Sequence, residues 1–188
     1  MRTTEGRGLL SDQDRAGEDV EPQAERPGIV EGYGISARNE GLLPWSHVSE
    51  RMGSSRNYWI GTTRPDGRPH AAPVWGVWLD NALFFGTDRR SRKARNLREN
   101  PEVVVHLESG DDCVILEGVI EEEADTALRR RAGEAYAAKY GFDALGSADE
   151  AGPPVYVLRP RVAFAWMESS FPETATRWRL DGGGPARN

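Results

Sequence analysis

From Asn57 onward the chain alternates short apolar runs with turn signals. Asn57 to Arg64 is rich in β-formers, Pro65-Asp66-Gly67 is a strong turn, and Pro69 to Leu79 reads as the return strand. Asp80-Asn81 is the next turn and Ala82 to Thr87 the third strand. These runs predict an antiparallel meander whose tight turns fix its register. A helix from about Ser91 to Glu99 is stopped by Asn100-Pro101. Glu102 to Leu107 and Cys113 to Glu121 are further strands, apolar on both faces, as in strands held between a core and a partner. Ala124 to about Tyr140 has a helical stripe of Leu128, Ala132, Ala135 and Tyr136, ended by Gly141. Val155 to Leu158 and Arg161 to Met167 are strands split by Pro160, and Thr176 to Leu180 is a short last strand. Upstream, Ser46 is placed to cap a helix reaching Ser54, with Val48 and Met52 on its buried side. About eight short strands without βαβ alternation predict a mainly β fold, a closed or partly closed antiparallel barrel with added helices.

Residues 1–40 lack any sustained period and read as a disordered or loosely attached extension. The barrel domain is expected over residues 41–180, with a tail at 181–188. At 188 residues and 38% apolar content, one ordinary domain is expected. The single cysteine, Cys113, excludes an intrachain disulfide and sits in an apolar run, so it reads as a buried small hydrophobe. No apolar run is long enough to span a membrane, and no apolar leader is visible, so a cytoplasmic location is expected. His47, His70 and His106 are scattered outside any zinc-ligand spacing, and no nucleophile elbow or Walker loop occurs.

The stretch Phe84 to Pro101 carries the candidate chemistry. A strand ends in Gly86-Thr87, and Ser91-Arg92-Lys93 follows at a helix start. Free N–H groups and the helix dipole favour an anion there, with an arginine fork and a lysine charge for its oxygens. A charge-rich helix can instead be a merely solvated face. Nucleic-acid binding is disfavoured by the net charge of −6.

The order Arg-Pro-Asp-Gly-Arg-Pro-His, Ala-Ala-Pro-Val-Trp-Gly, Phe-Phe-Gly-Thr and Ser-Arg-Lys-Ala-Arg-Asn-Leu-Arg-Glu-Asn-Pro resembles the pyridoxamine 5′-phosphate oxidase-like superfamily. These are split β-barrel proteins that bind flavin or deazaflavin. The likeness runs from about Trp45 to Leu180 and is strongest from Gly67 to Leu107. It implies a homodimer with cofactor sites at the subunit interface. It places Ala72, Pro73, Val74, Trp75 and Gly76 along the isoalloxazine ring, with Gly86 and Thr87 also on the cofactor. Ser91, Arg92 and Lys93 would grip the phosphate, and Trp166 of the other subunit would pack near the ring. The family's Arg-x-His substrate segment is replaced by Arg177-Trp178-Arg179, which argues against vitamin B6 oxidation.

The expected function is an FMN- or F-420-dependent oxidoreductase acting on a small planar or unsaturated molecule, with Trp75, Trp166 and Trp178 shaping the pocket. A dimeric protein that binds a flavin, haem or other planar ligand without turnover is the alternative. Arg89, Arg90, Arg95 and Arg98 extend the positive charge and favour F-420, with its phosphodiester and polyglutamate tail, over FMN. Their competing reading is simple pairing with Asp88, Glu99 and the acidic N-terminal segment.

Overall fold

A computed structural model describes residues 21–30, 32–142, 144–145 and 153–180. The expected tail at 181–188, and the first twenty residues of the expected extension, lie outside the described residues. The fold is mainly β: among the described residues nine antiparallel strands form one split-barrel sheet, with four α-helices packed around it. The elements are β1 (Ala24–Glu25), α1 (Trp45–Ser54), β2 (Tyr58–Thr63), β3 (Pro69–Val74), β4 (Gly76–Leu79), β5 (Ala82–Gly86) and α2 (Arg92–Glu99). They continue as β6 (Glu102–His106), β7 (Asp112–Glu122), α3 (Thr126–Tyr140), β8 (Val155–Met167), α4 (Phe171–Thr174) and β9 (Thr176–Arg179).

The predicted meander forms, but its return strand is two strands. β3 pairs with β2, β4 pairs with β5, and the run breaks at Trp75 where the partner changes. Pro69 and Pro73 are tolerated because β3 has only one neighbour, β2. Asp80 and Asn81 both adopt positive φ, 50° and 58°, as a two-residue hairpin turn requires. The ladder runs β3-β2-β6-β7-β8, and β8 also pairs with β5. The circuit therefore closes through the chain at Trp75 rather than through a hydrogen-bonded ladder.

Pro160 does not split β8, contrary to expectation. β8 pairs with β5 through Val155 to Leu158 on one edge, then with β9 through Val162 to Ala165 on the same edge. The missing N–H of Pro160 falls at this change of partner. Opposite it, the β7 register shifts between Glu117 and Gly118, so a bulge absorbs the irregularity.

Tyr58, Ile60, Val105, Leu116, Leu158 and Trp178 fill the barrel, with Val48 and Met52 of α1 packed on them. Trp178 is fully buried and edge-on to Trp45 at 5.6 Å. It is a core residue and unavailable to a substrate pocket. α1 starts at Trp45 after Pro44, so Ser46 lies inside the helix rather than capping it. α3 carries most of its predicted stripe: Ala132 and Tyr136, with Ala135 half-buried beside them, pack on Val77, Phe84, Val155 and Val157 in a second, smaller core that does not include Leu128.

Within residues 21–40, β1 pairs with β9, and Glu25 accepts from both Arg177 and Arg179 at 2.9 Å. Arg26 donates to four backbone carbonyls, those of Arg38, Glu40, Glu173 and Ala175. On the outer sheet face, Trp59, His106, Ile115 and Phe164 stand side by side across four strands.

A Cβ at Gly118 would lie 2.7 Å from the Arg159 carbonyl oxygen and 3.0 Å from Pro160 Cα, both backbone atoms. Gly118→Ala is therefore expected to destabilise the fold by about 1–3 kcal/mol, as other overpacked sites do. Chemical denaturation checks this, and an unchanged midpoint would contradict it.

Candidate functional site

The start of α2 is built by local sequence. Ser91 is the N-cap, and its Oγ accepts from the Ala94 N–H at 3.1 Å. The Thr87 hydroxyl, just past the end of β5, donates to Ser91 Oγ at 3.1 Å. Lys93 Nζ donates to Thr87 Oγ1 at 3.3 Å, and burial holds its ammonium below the usual lysine range. Gly86, Thr87, Ser91 and Lys93 are thus brought together, with Arg92 on the first turn beside them. A Cβ at Gly86 would sit 2.8 Å from Leu145 Cδ2, so any side chain there would push that leucine aside.

The fold adds residues that sequence reasoning missed. Asn96, one turn beyond Arg92, is buried and donates to Thr62 Oγ1 at 2.9 Å, tying α2 to β2. Thr62 stands opposite His70 in the β2–β3 register, its Oγ1 3.3 Å from His70 Nδ1. Burial and the positive charges of Arg64, Arg92 and Lys93 hold His70 below the ordinary histidine range. Arg64 Nε is buried and has no hydrogen-bond partner among the described residues. The hairpin Pro65-Asp66-Gly67 was the available signal: it sets Thr62 against His70 and puts Arg64 beside them.

The remaining predicted positions lie further off. Ala72 is two residues from His70 along β3, Pro73 is exposed, and Val74 is buried in the core. Trp75 lies nearly parallel to Tyr140 at 4.9 Å, with the Arg56 guanidinium 4.8 Å from its ring. Gly76 starts β4, where a Cβ would meet the Phe84 carbonyl at 2.7 Å. The bend is pinned by α3: Lys139 Nζ donates to Tyr58 Oη at 2.8 Å and to the Gly76 carbonyl at 3.2 Å. Burial pushes the Lys139 ammonium down to about 8. Trp166 packs edge-on against Phe171 at 5.6 Å, near the opposite end of β8 from Val155, which pairs with Gly86. Trp166 is eleven steps along β8 from Val155, at most about 36 Å of strand at 3.3 Å per step.

Two of the four surrounding arginines are committed. Arg89 makes a bidentate pair with Glu122, and Arg90 pairs with Asp88, whose carboxyl it holds down at about 2. Arg95 and Arg98 make no ion pair among the described residues. No cluster of three or more His, Cys, Asp or Glu residues suited to a metal occurs among the described residues. Among them, no helix is long and apolar enough to cross a membrane.

A pyridoxamine 5′-phosphate oxidase family profile matches residues 46–173. No curated protein matches the chain. Among solved structures, a conserved hypothetical protein from Mycobacterium tuberculosis is 25% identical with a TM-score of 0.59, over 71% of this chain and 90% of that one. General Stress Protein 26 from Bacillus anthracis is 20% identical with a TM-score of 0.56, over 72% and 97%. A heme binding protein from Mycobacterium smegmatis is 22% identical with a TM-score of 0.54, over 66% and 55%.

Burial, with Asp112 and Glu168 nearby, pushes the Cys113 thiol up to about 11. It should stay unalkylated by iodoacetamide in the folded protein at pH 8 and react in denaturant. Fast alkylation of the folded protein would contradict this placement.

Proposed function

We propose, for a chain that belongs to the pyridoxamine 5′-phosphate oxidase family, a flavin- or deazaflavin-dependent oxidoreductase working as a homodimer. The observation that carries the reading is the start of α2. There Arg64, His70, Arg92 and Lys93 gather around a serine-capped helix N-terminus, and none of the four makes an ion pair among the described residues, although Asp66, held by Arg68, lies close enough to feel the Arg64 charge. Such a cluster is costly without an anion and suits the phosphate of a cofactor.

The cofactor, when bound, supplies the hydride chemistry, so the chain needs only to hold, orient and shield it. Ser91, Arg92 and Lys93 would hold the phosphate. Ala72 to Gly76 would run beside the ring, with the Trp75–Tyr140 stack closing that end against water. Trp166 stands near the far end of β8 from the residue that pairs with Gly86, and a second copy would bring its expected role to this site. The outer row of Trp59, His106, Ile115 and Phe164 is a suitable surface for that copy.

The capture of Arg89 by Glu122 and of Arg90 by Asp88 removes half of the extended basic track that F-420 would use. The compact cluster at α2 suffices for FMN, which becomes the favoured cofactor, with F-420 second. The M. smegmatis relative shares the fold with this chain and its name records haem binding. Ligand binding without turnover is therefore the second reading. Turnover of a quinone or enone panel by the loaded protein separates the two.

Purified protein titrated with FMN and with F-420 should bind at least one of them. Replacing Arg92 and Lys93 together by Ala should lower that affinity about a hundredfold or more, from two charge-assisted bonds worth about 1.5–3 kcal/mol each. Unchanged affinity in the folded double variant would overturn the assignment. Light scattering should give a dimer at micromolar concentration, and a stable monomer would contradict the shared site.

A further inference from the structure

We propose that His70 and Arg64 complete the anion site and make it selective for a dianionic phosphomonoester, His70 taking up a proton as the anion binds. This rests on the reading of Ser91, Arg92 and Lys93 as the phosphate grip.

His70 is fixed on one side only. Asn96 reaches from α2 to Thr62 Oγ1, and Thr62 in turn sits against His70 Nδ1 and donates to the His70 carbonyl at 3.3 Å. No described group is hydrogen-bonded to the other ring nitrogen, Nε2. The charges that act on the ring come from the end of the β2 hairpin and from α2, which packs on β2. They are Arg64 at the end of β2, and Arg92 and Lys93 on α2, and all three are positive. The hairpin carboxylate Asp66 is occupied by Arg68, which donates to it from Nε and Nη2 at 3.0 and 2.6 Å. The three positive charges repel one another, and with burial they hold the imidazole below the ordinary histidine range. Arg64 Nε waits there with no acceptor among the described residues.

An anion at the start of α2 offsets this field. Against the three charges of Arg64, Arg92 and Lys93, a dianion leaves a net charge of one and a monoanionic diester a net charge of two, so protonation of His70 meets less repulsion beside the dianion. A terminal phosphomonoester therefore gains more from His70 than a phosphodiester does. The gain grows as pH falls through the window between the free and bound values of His70, because proton uptake and anion binding are linked reciprocally.

Sulfate and methyl sulfate test this, because neither titrates between pH 5.5 and 7.5 while they differ in charge. The three histidines can be followed by NMR at constant ionic strength, with His70→Gln assigning the signal. Without anion, His70 should titrate below the ordinary value of about 6.5. Saturating sulfate should raise it by about one unit or more, which corresponds to about tenfold tighter sulfate binding across the window. Methyl sulfate should move it much less, and His47 and His106 should serve as unmoved controls. Sulfate binding by His70→Gln should lose its pH dependence, and Arg64→Ala should weaken sulfate several-fold. Sulfate binding that leaves His70 unmoved, or equal shifts with both anions, would overturn this inference while leaving the phosphate grip intact. Absence of sulfate binding in the unsubstituted protein would overturn the grip and this inference together.

Discussion

The architecture depends on two places where backbone approaches backbone too closely for a side chain. At Gly76 the strand that has paired with β2 turns to pair with β5, and a Cβ would collide with the Phe84 carbonyl at 2.7 Å. At Gly118, β7 meets the bulge that lets β8 leave β5 and take up β9. These two changes of partner convert a meander into a split barrel. They also bring the ends of β2, β3 and β5 to one rim, where α2 begins. The hairpin sets Thr62 against His70, the first turn of α2 sets Lys93 against Thr87, and the Asn96–Thr62 hydrogen bond joins the two groups across 34 positions.

The rim then concentrates a charge opposite to that of the whole chain. The net charge is −6, yet three permanent cations and a histidine share one corner. Several arginines elsewhere are paired, Arg89 with Glu122, Arg131 with Asp80, Arg159 with Glu123, and Arg177 and Arg179 with Glu25, whereas Arg95 and Arg98 of α2 make no ion pair among the described residues. Exposed pairs contribute about 0–1 kcal/mol and need no function. Arg64 and Lys93 are half-buried and make no ion pair among the described residues, so they lack even that compensation. The position matching the family's substrate segment is also spoken for, since Glu25 of β1 takes both arginines and Trp178 is inside the core.

What was legible in the sequence was local. The turns at Pro65-Asp66-Gly67 and Asp80-Asn81, the Ser91 cap, the stripe of α3 and the Gly141 terminator all act within a few residues. What was not legible depended on distant partners. The break at Trp75 and the continuity of β8 across Pro160 follow from which strand lies alongside. β1 pairs with β9 across most of the chain, and no periodicity announces two residues. At the candidate site the Ser-Arg-Lys segment was readable, whereas Thr62 and Asn96 look like ordinary polar residues until the register and the docking of α2 bring them together. The arginine track looked longer than it is because Glu122 lies 33 positions from Arg89.

The central claim is that the α2 rim holds the phosphate of a planar cofactor. Mapping backbone amide shifts by NMR while FMN is added tests it most directly. The account predicts the largest shifts at Ser91, Arg92, Lys93 and Ala94, with Thr62, Arg64 and His70 following, and a second group from Ala72 to Gly76. Saturable FMN binding with the α2 amides unmoved and the shifts confined to another face of the barrel would contradict it.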